Sequence, residues 1–329
     1  MICFPNAKIN IGLHITEERP DGYHNIESIF YPIPLVDALE AVFSKKTSFT
    51  QTGLPLETAP EDNLVMKAYD LMDRKYKLPA LDIFLKKAIP SGAGLGGGSA
   101  DAAFMLKLLF SHPTTTKLSG LPLCDWIASQ ARNDGEQVSS LRGGTTKQSG
   151  IDDYGRLLEM AESIGADCPF FIRNTPAIVT GTGNVFQVSD ISLKGYTIYI
   201  VKPPVSISTK EAYSMIKPQK PVFSLNKLSA IPVHEWKYVV KNDFEPGMFK
   251  KYPLIKEIKE HLYSMGAEYA SMSGSGSAVY GLFKNNALSP ISPFPPFQPF
   301  PPFPPLPPFQ PFSPFPPFQP FFSWKGILE

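Results

Sequence analysis

The sequence is short of cysteine, carries no excess of either charge and has no long apolar run. Cys3, Cys124 and Cys168 are odd in number and widely spaced. They point to neither a disulfide framework nor a zinc site, and they fit a reducing compartment. Lys and Arg total 31 against 30 Asp and Glu, with no strong block of either sign. A general nucleic-acid binder usually shows a basic patch or stripe, so nucleic acid is not an expected partner. No apolar run reaches the ~18 residues of a membrane span, and Met1 to Lys8 lacks the basic start and apolar core of a signal peptide. The expectation is a cytoplasmic protein with no membrane partner. At 329 residues it has room for one large domain or two ordinary ones.

Proline and phenylalanine are abundant, but unevenly placed. Ser289 to Phe322 holds 16 of the 35 prolines and 10 of the 24 phenylalanines. Proline at that density removes backbone donors and forbids a helix or a central strand. A Pro-rich tract can dock into an aromatic-lined groove, yet this one has no Lys or Arg to orient it. Residues 287–329 are expected to be a disordered, low-complexity appendage that activity does not need. A second irregular region, about 111–155, reads as an insertion: a short helix over 123–131, then a polar, turn-rich loop over 132–150.

The remainder reads as mixed α and β. Lys8 to Thr16 alternates as a strand, with Ile9, Ile11, Leu13 and Ile15 on one face and Lys8, Asn10, Gly12 and His14 on the other. A helix is expected over 63–76, capped by Asp62 or Asn63, with Val65, Ala68, Tyr69 and Met72 inward. A strand follows at 81–85 and a helix at 100–110. After the insertion come a helix at 157–164, strands near Phe170, Ile178, Val185 and 196–202, a helix at 253–265 with proline at its start, and strands at 267–272 and 278–283.

The densest chemical signal lies between the strand at 81–85 and the helix at 100–110. Pro90-Ser91-Gly92-Ala93-Gly94-Leu95-Gly96-Gly97-Gly98-Ser99 sets five glycines in seven positions. Such a loop can turn several N–H groups inward, and a helix starting near Ser99 adds unpaired amides and a positive dipole end. That combination binds phosphate. A P-loop needs Lys-Ser or Lys-Thr after its last glycine, and here Ser99 is followed by Ala100. A dinucleotide fingerprint is formally present at Gly92 to Gly97, but the acidic residue expected about 20 positions later is missing. A Pro-x-x-x-Gly-Leu-Gly-Gly-Gly-Ser phosphate loop fits closely, and a plain glycine-rich turn is the bland alternative.

Four further segments bear on chemistry. In Pro5 to Asn10, Lys8 and Asn10 share one strand face, which taken alone could simply be solvated. Asp21-Gly22-Tyr23-His24 is a turn ending in an aromatic residue and a histidine, a pair common in ordinary loops. Gly165-Ala166-Asp167-Cys168-Pro169 places an aspartate among small and apolar residues, where an unpaired charge is costly unless it merely ends a helix. Ser271 to Ser277 is a second glycine-serine loop that could be a plain hairpin.

In this order and spacing the segments resemble the three motifs of the GHMP kinases, over about residues 3–110 and 156–285. Asp-Gly-Tyr-His and Gly-Ala-Asp-Cys-Pro resemble the branch whose acceptor is a cytidine diphosphate. The resemblance implies an α+β GHMP-kinase fold of two α/β domains, 1–156 and 157–286, with the active site in the cleft between them. It implies ATP with Mg²⁺, the phosphates lying in Pro90 to Ser99, and Ser99 the one protein group to consider as a metal ligand. It further implies that Asp167 accepts the proton of the substrate's C2 hydroxyl. Lys8 would pair with it and steady developing charge, Asn10 would contact the substrate, and Tyr23, His24 and Tyr213 would clamp the cytosine. Ala100 departs from the second serine common in the family. Another GHMP kinase acting on homoserine or a mevalonate derivative, and an inactive scaffold with a partner-binding tail, are the alternatives.

Overall fold

The computed structural model describes residues 1–55, 62–111, 146–285 and 322–328, with the backbone alone for 146–153. The helix expected over 123–131, the centre of the expected insertion and the Pro/Phe tract lie outside these residues. Among the described residues, three four-stranded sheets carry the architecture. The first is built on a hairpin of two 13-residue strands, Asn6–Glu18 and His24–Val36, in which Ile9 faces Tyr31 and Asn10 faces Phe30. Strands Ala177–Thr180 and Val185–Val188 extend it. Residues on both sides of the boundary expected at 156/157 therefore share one sheet, and that boundary falls inside a helix, Thr146–Ile164.

The second sheet runs Ile2–Cys3, Ala38–Phe43, Leu81–Lys87, Ser48–Gly53. Its one parallel pair, Ser48–Gly53 with Leu81–Lys87, is joined through helix Leu64–Tyr76, as parallel strands require a crossover. Asn63 is the cap, its Oδ1 accepting the Val65 N–H at 2.9 Å, and Val65, Ala68, Tyr69 and Met72 are buried as the periodicity predicts. The third sheet runs Tyr269–Met272, Val279–Lys284, Tyr196–Lys202, Phe322–Leu328.

Three expectations are corrected, and one alternative is removed. The polar face of the first long strand is not solvated: Lys8, Asn10 and His14 are only 4, 3 and 5 % exposed. Phe170 lies in a helix, Cys168–Arg173, because Pro169 takes the first-turn position and an apolar run this short fits either structure. The helix placed at 157–164 begins at Thr146, inside the expected loop; its first half is polar and contains Gly150 and Gly155, which hid it. The appendage expected over 287–329 is no appendage at its far end. Phe322–Leu328 pairs residue by residue with Lys202–Tyr196, and Leu328 is 3 % exposed within the core. The neighbouring low-complexity composition masked an alternating strand.

Candidate active site

The glycine loop leaves strand Leu81–Lys87 and feeds helix Gly97–Phe110, which starts three residues before the helix expected over 100–110. Gly92, Gly94 and Gly96 have φ of +59°, +73° and +72°, the left-handed region that favours glycine. Gly96 caps the helix without any side-chain bond, and the first intrahelical bond is Ala100 N–H to Gly96 O, 2.9 Å. The amides of Gly97, Gly98 and Ser99 thus have no helical partner and stand at the positive end of a 14-residue helix. Ala100 is fully buried in the core.

The second glycine-serine loop is part of the same construction. Gly94 passes so close to it that a Cβ there would sit 1.9 Å from the Ser273 carbonyl oxygen. The Ser273 hydroxyl donates to Gly94 O at 2.8 Å and accepts the Asn10 N–H at 3.2 Å; Ala278 N–H donates to Ala93 O at 3.2 Å. Two buried residues that sequence reasoning missed hold this loop from behind. Asn242 donates to Met272 O and Gly274 O at 2.9 and 2.8 Å, and Glu245 accepts the Met272 N–H at 2.9 Å. Asn242-Asp243 reads locally as a turn, and only its flanking apolar residues, Val240 and Phe244, hinted at burial.

Lys8 and Asp167 meet beside the loop. The Lys8 ammonium lies 3.5 Å from Asp167 Oδ2, 2.5 Å from Asn10 Oδ1 and 4.3 Å from the centre of the Phe30 ring. Burial lowers the Lys8 pKa, and the pull of Asp167 in the other direction does not restore it. Asp167 stands at the N-cap of helix Cys168–Arg173, yet its side chain makes no capping bond. Its carboxylate, a third exposed, remains available to a ligand. Burial above all pushes the neighbouring Cys168 thiol up to about 12, so it is not a nucleophile at neutral pH.

Lys8, Asn10, Asp167, Tyr213 and every residue from Pro90 to Ser99 line one cleft of about 550 Å³. His24 does not line it but packs against Tyr213, ring centres 4.8 Å apart; Tyr213 in turn meets Phe244 edge-on at 5.1 Å. Tyr23 is set apart from the other expected site residues. Its turn is closed by Arg19 N–H to Tyr23 O and by the Arg19–Asp21 ion pair, and its ring is 66 % exposed outside the cleft. Asp62, Asn63 and Leu64, read from the sequence as the start of a helix, also line the cleft. So do Lys87 and Asp101, which form a buried ion pair at 2.6 Å.

A glycine loop feeding a helix start, beside a buried lysine paired with a half-buried aspartate, is an arrangement suited to phosphoryl transfer. Two family models match the chain, the GHMP kinases N-terminal domain over residues 63–144 and the GHMP kinases C-terminal domain over 233–289. A 4-diphosphocytidyl-2-C-methyl-D-erythritol kinase of Parabacteroides distasonis is 52% identical over 86% of this chain and 92% of its own length. The chain belongs to the GHMP kinases. It is an ATP-dependent small-molecule kinase. A kinase of the same name from Bacteroides fragilis is 50% identical over the same shares. Among solved structures, a 4-(cytidine 5'-diphospho)-2C-methyl-D-erythritol kinase superposes with a TM-score of 0.61 at 25% identity, covering 86% of this chain and 90% of the other. A Streptococcus pneumoniae phosphomevalonate kinase, TM-score 0.54 at 14% identity, covers 86% and 91% and shares the GHMP-kinase fold.

Proposed function

We propose that this GHMP kinase transfers the γ-phosphoryl group of ATP to the C2 hydroxyl of 4-diphosphocytidyl-2-C-methyl-D-erythritol. The observation that carries the reading is the Lys8–Asp167 pair, 3.5 Å apart in the cleft lined by the glycine loop. It lies in a chain about half identical to kinases named for that substrate. The free amides at the helix start and the loop from Pro90 to Ser99 hold the phosphates. Asp167 accepts the hydroxyl proton, the hydroxyl oxygen bonds to the γ-phosphorus, and the bond to the β–γ bridging oxygen breaks, releasing ADP. The Lys8 ammonium offsets charge developing on the transferred group, and such positioning and charge stabilisation is the main catalytic resource in phosphoryl transfer.

The described residues contain no group of three or more His, Cys, Asp or Glu side chains able to hold a metal. Mg²⁺ would arrive with the triphosphate, and the Ser99 hydroxyl is the protein oxygen that would meet it, leaving the Asp167 carboxylate free as the base. When bound, the ion would neutralise part of the phosphate charge. Asn10, fixed by Lys8 and by Ser28 at 3.0 Å, contacts the acceptor. His24 and Tyr213 hold the cytosine, with Tyr23 closing from the outer turn. We assign the reaction to the cytoplasm; among the described residues no helix is long and apolar enough to cross a membrane.

The test is ATP consumption with 4-diphosphocytidyl-2-C-methyl-D-erythritol, with homoserine and mevalonate as controls. Turnover is expected with the cytidine compound alone. Asp167→Asn lowers kcat at least ~100-fold, the low end for a general base, and near-normal turnover would remove Asp167 from that role.

A further inference from the structure

A buried cluster of three titratable side chains, two of which also line the cleft, lies outside the Lys8–Asp167 pair. Lys87, the last residue of its strand, is bonded through its ammonium to Asp37 Oδ2, and to Asp101 Oδ2 at 2.6 Å. The three side chains are 2, 0 and 3 % exposed for Lys87, Asp37 and Asp101. They come from three elements: the junction between strands His24–Val36 and Ala38–Phe43, the end of Leu81–Lys87, and the second turn of helix Gly97–Phe110. Buried ion pairs seldom stabilise a fold more than apolar residues of similar volume would; where they are of use, it is in specifying a geometry.

Here that geometry belongs to the loop. Asp37 Oδ1 accepts the N–H groups of Ala88 and Ile89, at 2.5 and 2.8 Å, the two residues immediately before Pro90. Asp101 lies on the helix the loop feeds, four residues beyond its start. One ammonium therefore joins the strand end of the loop, through Asp37, to its helix end, through Asp101. The helix start packs directly on this junction. A Cβ on Gly97 would lie 2.8 Å from Ile89 Cγ2 and 3.2 Å from Lys87 Nζ. Between the two tethers run Gly92, Gly94 and Gly96, which have little stiffness of their own. The Ser273 loop holds the middle of this segment, and holding its ends at a set separation as well keeps its amides converging on one point. Ordering them beforehand reduces the entropy lost on binding.

We propose that Asp37, Lys87 and Asp101 are positioning residues for the nucleoside triphosphate, holding the two ends of the glycine loop at the separation at which its amides meet the phosphates. The inference rests on the assignment of that loop to ATP.

The experiment measures, on the full chain, the KM for ATP and for the alcohol substrate, together with the melting temperature. Asp101→Ala and Lys87→Met are each expected to raise the KM for ATP at least tenfold and leave that for the alcohol within twofold. Asp101→Asn, which keeps an oxygen facing Lys87, is expected to stay within threefold of the parent for both. An unchanged KM for ATP in a folded Asp101→Ala protein overturns the proposal, as does an equal rise in both KM values or an Asp101→Asn protein as impaired as Asp101→Ala. If Lys87→Met does not fold, the Asp101 pair decides alone; if Asp101→Ala does not fold while Asp101→Asn does, the tethers hold the whole domain and the proposal fails. Titration of the parent protein with a non-hydrolysable ATP analogue separates the two readings, since absence of binding there would sink the ATP assignment itself.

Discussion

Gly94 is where a single added methyl group is expected to do the most damage. Its φ of +73° disfavours alanine by about 1–2 kcal/mol, and the new Cβ would lie 1.9 Å from a backbone oxygen of the neighbouring loop. Neither backbone can yield without the loops separating. That would weaken the Ser273 hydroxyl to Gly94 O and Ala278 N–H to Ala93 O bonds, at about 0.5–1.5 kcal/mol each. Together these come to roughly 2–5 kcal/mol, or about 4–20 °C of melting temperature at ~2–4 °C per kcal/mol. Two neighbours serve as controls. Gly92→Ala has a positive φ but nothing within 4 Å of its Cβ, so only the conformational term of about 1–2 kcal/mol applies. Gly98→Ala lies within the helix, 3.6 Å from Leu64 Cδ1, and is expected to stabilise by up to ~1 kcal/mol. Thermal unfolding followed by circular dichroism ranks the three. A Gly94→Ala protein as stable as Gly92→Ala would refute the argument that the two loops are interlocked.

Other consequences can be measured directly. Because burial lowers the Lys8 pKa, its ammonium is lost as the pH rises through a value below the ordinary 10.5. The kcat/KM profile is then expected to fall on the alkaline side below that value. Lys8→Arg, which stays charged, should lack this limb in its residual activity; an identical limb in both proteins would assign it to another group. Tyr213→Ala and His24→Ala are expected to raise the KM for the proposed cytidine substrate with the KM for ATP unchanged, whereas Tyr23→Ala, whose ring is exposed, should have the smaller effect. Deleting residues 322–329 should lower the melting temperature, while replacing 289–320 with a shorter flexible linker should not. Equal stability of both variants would remove the strand from the core.

Much of the chemistry was legible in the chain because it depends on local chemical signals. Gly92, Gly94 and Gly96 of the glycine loop are required by backbone geometry, and the strand alternation put Lys8 and Asn10 on one face. What local reading could not supply was what covers that face. Burial of Lys8, Asn10 and His14 comes from elements far along the chain: Asp167 and the Ser273 loop close over the first two, and Asp243 reaches His14. Asn242, Glu245 and the Asp37–Lys87–Asp101 cluster were invisible for the same reason, since each gains its meaning from partners on other elements. Phe170 was misplaced because a short apolar run fits a strand or a helix equally well. Phe322–Leu328 was lost because the composition of its neighbours was extended to it.

That last strand changes what the Pro/Phe tract is. Val279–Lys284 and Phe322–Leu328 flank Tyr196–Lys202 and run parallel to each other. The chain leaves this sheet beside Tyr196 and returns beside Lys202, a gap of about 20–25 Å along seven residues of strand. The tract of residues 286–321 is far longer than that gap needs. Doubling the length of such a connection adds only about 0.6 kcal/mol of closure entropy. Repeats could thus be gained or lost there with little penalty while the sheet stays whole. The tract is accordingly the natural place to graft a reporter domain into this kinase, in preference to a fusion that severs the final strand from its sheet.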